Sequence, residues 1–214
     1  MRYLIVCGGK IDKEFGLNEI KTDGIDAIIA ADSGMDFLYE NGVTPDIIVG
    51  DFDSTTTNAL EYFERKGQTE IHRLNPIKDD TDTEYAIRLA ISEGARSIVL
   101  LGATGSRIDH VLGNISLLGI GLESGTDISI IDTNNRIRMA DKPVTIEKSA
   151  QYGRFVSLIA LTDDNEVSLK GFKYPVTDYS FDRFTSLGIS NEIVDDHALI
   201  DIHRGKFIII ESKD

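Results

Sequence analysis

The 214-residue sequence predicts an α/β fold: a parallel-sheet domain over residues 1–137, followed by a small all-β sandwich over residues 138–214. Three observations carry that prediction. Apolar runs alternate with helix-like stretches through the first two-thirds of the chain, the pattern of βαβ units. Polar, glycine-bearing motifs recur at the carboxyl ends of those runs. After about residue 135 helical periodicity stops, and short strand-like runs separated by turns take over.

The first strand is expected at residues 3–7, where an apolar run meets Gly8-Gly9. That run is too short for a secretory signal and lacks a small-residue cleavage site. Further strands are expected at 27–31, 47–49, 70–74, 97–101 and 127–131. A helix over 33–41 ends at Asn41-Gly42, a common helix stop. Thr81-Asp82-Thr83-Glu84 has the capping-box pattern and opens a helix to about residue 92. Val111, Leu112, Ile115 and Leu118 mark another helix over 109–118. In the second part, strands are expected at 144–146, 155–161, 166–170, 198–203 and 206–210, the last two joined as a hairpin through Arg204-Gly205.

Composition narrows the function. A net charge of −14 repels nucleic-acid backbones, so a DNA or RNA partner is not expected. It repels polyphosphates too, so any phosphate site needs its own cations. No apolar run approaches the roughly 18 residues of a membrane span. Cys7 is the single cysteine, which excludes an internal disulfide and favours a reducing, cytoplasmic setting. Its place in an apolar strand reads as an inert core thiol.

Ligands of an open parallel sheet bind at the carboxyl ends of its strands. Five motifs fall there: Gly8-Gly9, Asp32-Ser33-Gly34, Gly50-Asp51-Phe52-Asp53-Ser54, Lys78-Asp79-Asp80-Thr81-Asp82, and the run from Gly102 to His110 that includes Thr104, Gly105, Ser106, Arg107 and Asp109. They are predicted to converge on one rim. In an extended segment Asp51 and Asp53 project to the same side, and two close carboxylates call for a shared cation. Hard divalent ions such as Mg²⁺ take such oxygen ligands together with substrate phosphates. An isolated Asp-x-Asp is more often a solvated turn; its setting among three further aspartates reverses that reading. Asp82 also fits a simple capping role in the first helical turn. Lys78 can place a charge on phosphate, and Arg107 offers a fork for it. Gly8-Gly9 alone reads equally as a turn, while Gly105 allows close backbone approach. His110 and Asn114 share a helix face. No Walker A pattern and no G-x-G-x-x-G after a strand is present, which argues against a P-loop enzyme or a dinucleotide dehydrogenase.

These motifs, in this order and over nearly the whole chain, resemble the thiamine pyrophosphokinase family, whose members make thiamine diphosphate and AMP from thiamine and ATP. Ser186-Leu187-Gly188-Ile189-Ser190-Asn191 resembles the family's thiamine-binding segment. The resemblance implies a Rossmann-like catalytic domain, a β-sandwich that binds thiamine, Mg²⁺, and a homodimer with active sites between subunits. It assigns metal binding to Asp51, Asp53 and Asp82, and places Lys78, Asp79 and Arg107 beside them in the catalytic set. Asp32, Ser33, Gly34, Thr104, Asp109, His110 and Asn114, with Gly8, Gly9 and Gly105, would form the nucleotide site. Ser186, Ser190 and Asn191 would meet thiamine, although Ser190-Asn191 by itself reads equally as a turn. Asp79 and Asp82 both remain candidates for the base. Two positions depart from the family pattern: Ser106 stands where a second glycine is common, and Tyr85 where a lysine is common. A diphosphokinase for another hydroxymethyl heterocycle, such as a pterin, and a non-catalytic nucleotide-binding module are the competing readings.

Overall fold

Residues 3–6 are apolar on both faces, and in the computed structural model they lie inside a parallel sheet, buried from each side. The structure describes residues 1–52, 58–75 and 80–214. The chain forms two compact units, Met1–Thr133 and Asn134–Asp214.

In the first unit, β1 (Arg2–Val6), β2 (Ala27–Ala31), β3 (Ile47–Gly50), β4 (Glu70–Arg73), β5 (Ser97–Leu101) and β6 (Asp127–Ile131) stand in the order β6-β5-β1-β2-β3-β4. Every pairing among them is parallel. Helices α1 (Lys13–Ile20), α2 (Gly34–Glu40) and α3 (Ala59–Lys66) cover one face. Their Phe15, Met35, Leu38 and Phe63 pack with Leu4, Val6, Ile48 and Leu101 of the strands. Helix α4 (Asp82–Ser92) crosses β1, β2 and β3, burying Ala86, Ile87 and Ala90. It is joined to β1 by Tyr3 Oη donating to Glu93 at 2.9 Å. Helix α5 (Ile108–Ser124) packs on β6 and α4. It runs six residues beyond its predicted end, to the left-handed cap at Gly125. Neither α1 nor α3 is expected from the sequence; both are eight-residue helices, below the length at which periodicity separates helix from loop.

The strand order reverses at β1. Successive strands β2, β3 and β4 extend to one side, and β5 and β6 to the other. The loops after β1 and β5 therefore diverge and open a crevice at their carboxyl ends, the usual ligand position in such sheets.

The second unit has two antiparallel sheets. One is β12 (Asn191–Glu192), β9 (Phe155–Ala160), β14 (Phe207–Ser212) and β7 (Asn135–Ala140); the other is β11 (Val176–Ser180), β10 (Glu166–Lys170), β13 (His197–Arg204) and β8 (Val144–Glu147). Val156, Leu158 and Phe207 of the first sheet share a core with Val167, Ile200 and Ile202 of the second, which makes a sandwich. The expected hairpin at Arg204-Gly205 does not form. β13 pairs with β10 and β8, whereas β14 pairs with β7 and β9. The turn instead carries the chain from one sheet to the other, with Gly205 at φ 91°. A side chain there would strike Asn165. Glu211, fully buried on β14, is held by Arg136 at 2.7 and 2.9 Å, by Arg138 at 2.9 Å, and by the Tyr152 amide at 2.9 Å.

Candidate active site

Close backbone contacts build the rim of the first unit. Gly9 donates its N–H to the Gly102 carbonyl at 2.9 Å. A Cβ on Gly9 would collide with that carbonyl and lie 2.9 Å from the Thr104 carbonyl, so only glycine lets the loops after β1 and β5 touch. Gly34 plays the same part for α2, whose start is pressed against the Val6 carbonyl. Thr81 caps α4, its Oγ1 accepting from the Glu84 amide at 3.2 Å, which sets Asp82 in the first helical turn. Asp32 adopts φ 50°, a left-handed conformation that aspartate tolerates better than most residues. Its amide donates to the Val49 carbonyl at 2.8 Å.

These contacts surround a cavity of about 1030 Å³. Gly8 and Gly9 from the β1 loop, Asp32 and Ser33 from the β2 loop, and Asp82 from α4 line it. Thr104, Gly105, Arg107, Asp109, His110 and Asn114 close it from the β5 loop and α5. Beside it, Asp32, Asp51 and Asp82 each offer one oxygen, and the three oxygens lie within 4.8 Å of one another. Three carboxylates this close repel strongly unless a cation lies between them. The donors are all oxygen, which suits a hard divalent ion such as Mg²⁺.

Asp32, expected in the nucleotide pocket, thus joins Asp51 and Asp82. The expected third member, Asp53, lies outside the described residues, as do Lys78 and Asp79. Phe52 takes φ 64°, so the backbone is not extended between Asp51 and Asp53 and the two-residue repeat of the strand ends at Gly50.

The cation of the β5 loop is already engaged. Arg107 holds Asp109 through Nη2 at 2.6 Å and Nε at 3.2 Å, with both side chains exposed. The Arg107 fork keeps the Asp109 carboxyl down at about 2. Any phosphate reaching Arg107 must share it with Asp109. Thr104 Oγ1 donates to Asp132 at 2.9 Å, and Asn114 Nδ2 donates to the Ala103 carbonyl at 2.7 Å, so both polar side chains are fixed by their own unit. Cys7 is buried, with Thr83 Oγ1 3.7 Å from its sulfur, and burial pushes its thiol up to about 12.

Of the residues expected to meet thiamine, Asn191 is buried and already spends its amide. Its Oδ1 accepts from the Tyr174 amide at 3.0 Å, and its Nδ2 donates to the Tyr174 carbonyl at 2.9 Å. Ser190 stands at φ 60°, its amide donating to Ser157 Oγ at 2.9 Å. Ser186 is exposed, and its carbonyl accepts from the Ile189 amide at 3.2 Å. The region between Tyr174 and Val194 also exposes apolar side chains, Phe184 most of all at 92%.

Lys10, Gly113 and Leu117 line the cavity without a sequence expectation, and Thr83 and Glu84, expected only as part of the capping box, line it too. Lys10 carried a readable signal, a cation directly after the first glycine pair. Gly113 and Leu117 fall on the helix face of His110 and Asn114, one turn further along.

Fold and cavity together define an α/β protein with an acidic, crevice-type ligand site at the carboxyl ends of its parallel strands. Comparison with known proteins narrows this. Residues 21–130 match the family model of the thiamin pyrophosphokinase catalytic domain, and residues 143–207 match that of the thiamin pyrophosphokinase vitamin B1 binding domain. The thiamine pyrophosphokinase of Bacillus subtilis (strain 168) is 35% identical over 188 residues, 87% of each chain. A crystal structure of thiamine pyrophosphokinase from Bacillus subtilis superposes with a TM-score of 0.89 at 32% identity over the full length of both chains. One of thiamin pyrophosphokinase from Geobacillus thermodenitrificans gives 0.86 at 29% identity, covering 100% of this chain and 98% of the other. The chain belongs to the thiamin pyrophosphokinase family.

Proposed function

We propose that this enzyme transfers a diphosphate group from ATP to the hydroxyl of thiamine, giving thiamine diphosphate and AMP. The hydroxyl oxygen bonds to the β-phosphorus while the bond from that phosphorus to the oxygen bridging it to the α-phosphorus breaks. AMP leaves with the bridging electrons, and the hydroxyl proton passes to a carboxylate, Asp79 or Asp82. Such transfers depend on in-line positioning and charge neutralisation more than on covalent help from the protein.

The observation that carries this reading is the convergence of Asp32, Asp51 and Asp82 from three separate segments beside one large cavity. We assign Mg²⁺ to Asp51, Asp82 and Asp53, with Asp32 beside them; bound there, the ion would neutralise phosphate charge. Lys78, Arg107 and Lys10 are the cations proposed to balance the polyphosphate against a chain of net charge −14. Gly8, Gly9, Ser33, Gly34, Thr104, Gly105, Asp109, His110 and Asn114 would shape the nucleotide site. The unit that matches the catalytic-domain model would be Rossmann-like in role, with the crevice beside β1 as its nucleotide site. The unit that matches the vitamin B1 binding model would take thiamine through Ser186 and Ser190, with Asn191 holding the Tyr174 segment in place. A cytoplasmic homodimer with active sites between subunits completes the reading; no described helix is long and apolar enough to cross a membrane.

Incubation with ATP, Mg²⁺ and thiamine tests it directly. Stoichiometric AMP and thiamine diphosphate are expected. Release of ADP instead, or no product with thiamine but product with a pterin alcohol, would overturn it.

A further inference from the structure

Helix α5 contains two glycines with opposite surroundings. At Gly121 an added Cβ would fall 2.5 Å from the Thr126 carbonyl and 2.9 Å from Ile128, so close packing on the start of β6 explains that residue. At Gly113 an added Cβ would meet nothing within 4 Å. Nothing among the described residues requires a missing side chain there. Yet glycine inside a helix is less stable than alanine by about 1 kcal/mol, and Gly113 sits well inside a 17-residue helix. A cost of that kind without a packing reason calls for another use of the space.

Gly113 lines the 1030 Å³ cavity, and so do His110, Asn114 and Leu117 on the same helix. His110 lies three residues before it and Leu117 four residues after, so both neighbour it on one helix face. The side chain of Asn114 is tied back to the Ala103 carbonyl at 2.7 Å and cannot swing across the gap without losing that bond. What remains is a strip of bare helix backbone, flanked by an imidazole and an isobutyl group, on a wall of the cavity. The charged groups Lys10, Asp32, Asp82 and Glu84 belong to other walls, contributed by the β1 and β2 loops and α4, while Arg107 and Asp109 stand at the start of α5, paired with each other. A flat strip with an aromatic edge and an apolar edge fits a planar heterocycle, and Gly113 itself carries no charge for a phosphate.

We propose that Gly113 is the floor of the nucleobase subsite: the base of the nucleotide lies across the helix backbone between His110 and Leu117, in space a side chain would occupy. This rests on the nucleotide-dependent reading above and adds the group that selects a nucleotide over a bare polyphosphate.

Gly113→Ala and Gly113→Leu test it, because the structural and functional effects have opposite signs. Both variants should melt no lower than wild type, since each removes the glycine cost and its Cβ meets no neighbour within 4 Å. Binding is read by calorimetry with three probes in the presence of Mg²⁺: a non-hydrolysable ATP analogue, inorganic tripolyphosphate, and thiamine. Gly113→Leu should weaken the ATP analogue by at least about tenfold, the loss of one stacked ring, with Gly113→Ala intermediate. Tripolyphosphate and thiamine should each bind within about twofold of wild type. Unchanged affinity for the ATP analogue in a well-folded Gly113→Leu overturns the subsite. So does an equal loss for ATP analogue and tripolyphosphate, which would place phosphate at Gly113, or a loss confined to thiamine. Failure of the wild-type protein to bind either phosphate probe would instead overturn the nucleotide reading itself.

Discussion

The two units of the chain use polar residues in opposite ways. In the first, acidic side chains from separate segments gather beside a cavity: one oxygen each of Asp32, Asp51 and Asp82 lies within 4.8 Å of the others. In the second, the polar residues of interest are consumed by the fold. Asn191 is committed to both backbone groups of Tyr174, and Glu211 is sealed under two arginines. Like charges gathered from separate segments point to ligand chemistry, whereas a buried amide or acid spent on its own unit points to architecture. Substitutions should therefore separate the units by sign. Changes at the rim should cost activity and spare stability; changes at Asn191 should cost both.

The largest effect is expected at the carboxylates. Asp82→Asn and Asp53→Asn should each lower turnover by at least about a hundredfold, roughly the loss of one well-placed electrostatic group. Asp82→Asn should remain folded, its melting temperature shifting little beside the loss of turnover. Steady-state rates at saturating Mg²⁺ and a thermal melt of the same samples check this; near wild-type turnover would remove these residues from the metal site.

Asn191→Ala should come next. It removes the side-chain partner of the part-buried Tyr174 amide and carbonyl, a loss of about 1 kcal/mol per hydrogen bond. A raised Michaelis constant for thiamine together with a lower melting temperature would mark Asn191 as a residue that positions the loop. A raised constant with an unchanged melt would mark direct contact and narrow the contrast between the units.

The smallest effect concerns pH. Asp109 has its carboxyl lowered to about 2 by Arg107, so the stabilisation from that pair is present above the ordinary carboxyl value of 3.8 and is lost only as pH falls towards 2. Nucleotide binding should accordingly show no step from the Arg107–Asp109 pair between about pH 5 and pH 8. A titration of nucleotide affinity that kept such a step in wild type and lost it in Asp109→Asn would break this account. Cys7, with its thiol raised to about 12, should resist alkylation at neutral pH, read by intact-mass spectrometry.

Much of the first unit was legible because its signals are local. Apolar runs such as Ala27–Ala31 and Ser97–Leu101 form the strands expected, and each is followed by the turn chemistry that ends it. The rim was legible for the same reason: strand ends of a parallel sheet lie together, so motifs far apart in sequence had to meet. What local reading could not supply was orientation. The left-handed turns at Asp32 and Phe52 decide which carboxylates face each other, and neither is glycine, so the sequence carried no mark of them. In the second unit, partner choice between sheets failed to show. Ile202 and Phe207 flank a good hairpin turn, yet their strands belong to different sheets because each buries an apolar face against the other. Long-range packing overrode a local turn preference.

One measurement bears most directly on the claim that acids from separate segments share an ion. Mn²⁺, an oxygen-seeking stand-in visible by electron paramagnetic resonance, can be titrated into wild type, Asp32→Asn, Asp51→Asn and Asp82→Asn with an ATP analogue present. The account predicts one tight site in wild type, weakened by at least about tenfold in the Asp51 and Asp82 variants. Equal Mn²⁺ affinity in all four proteins would contradict it.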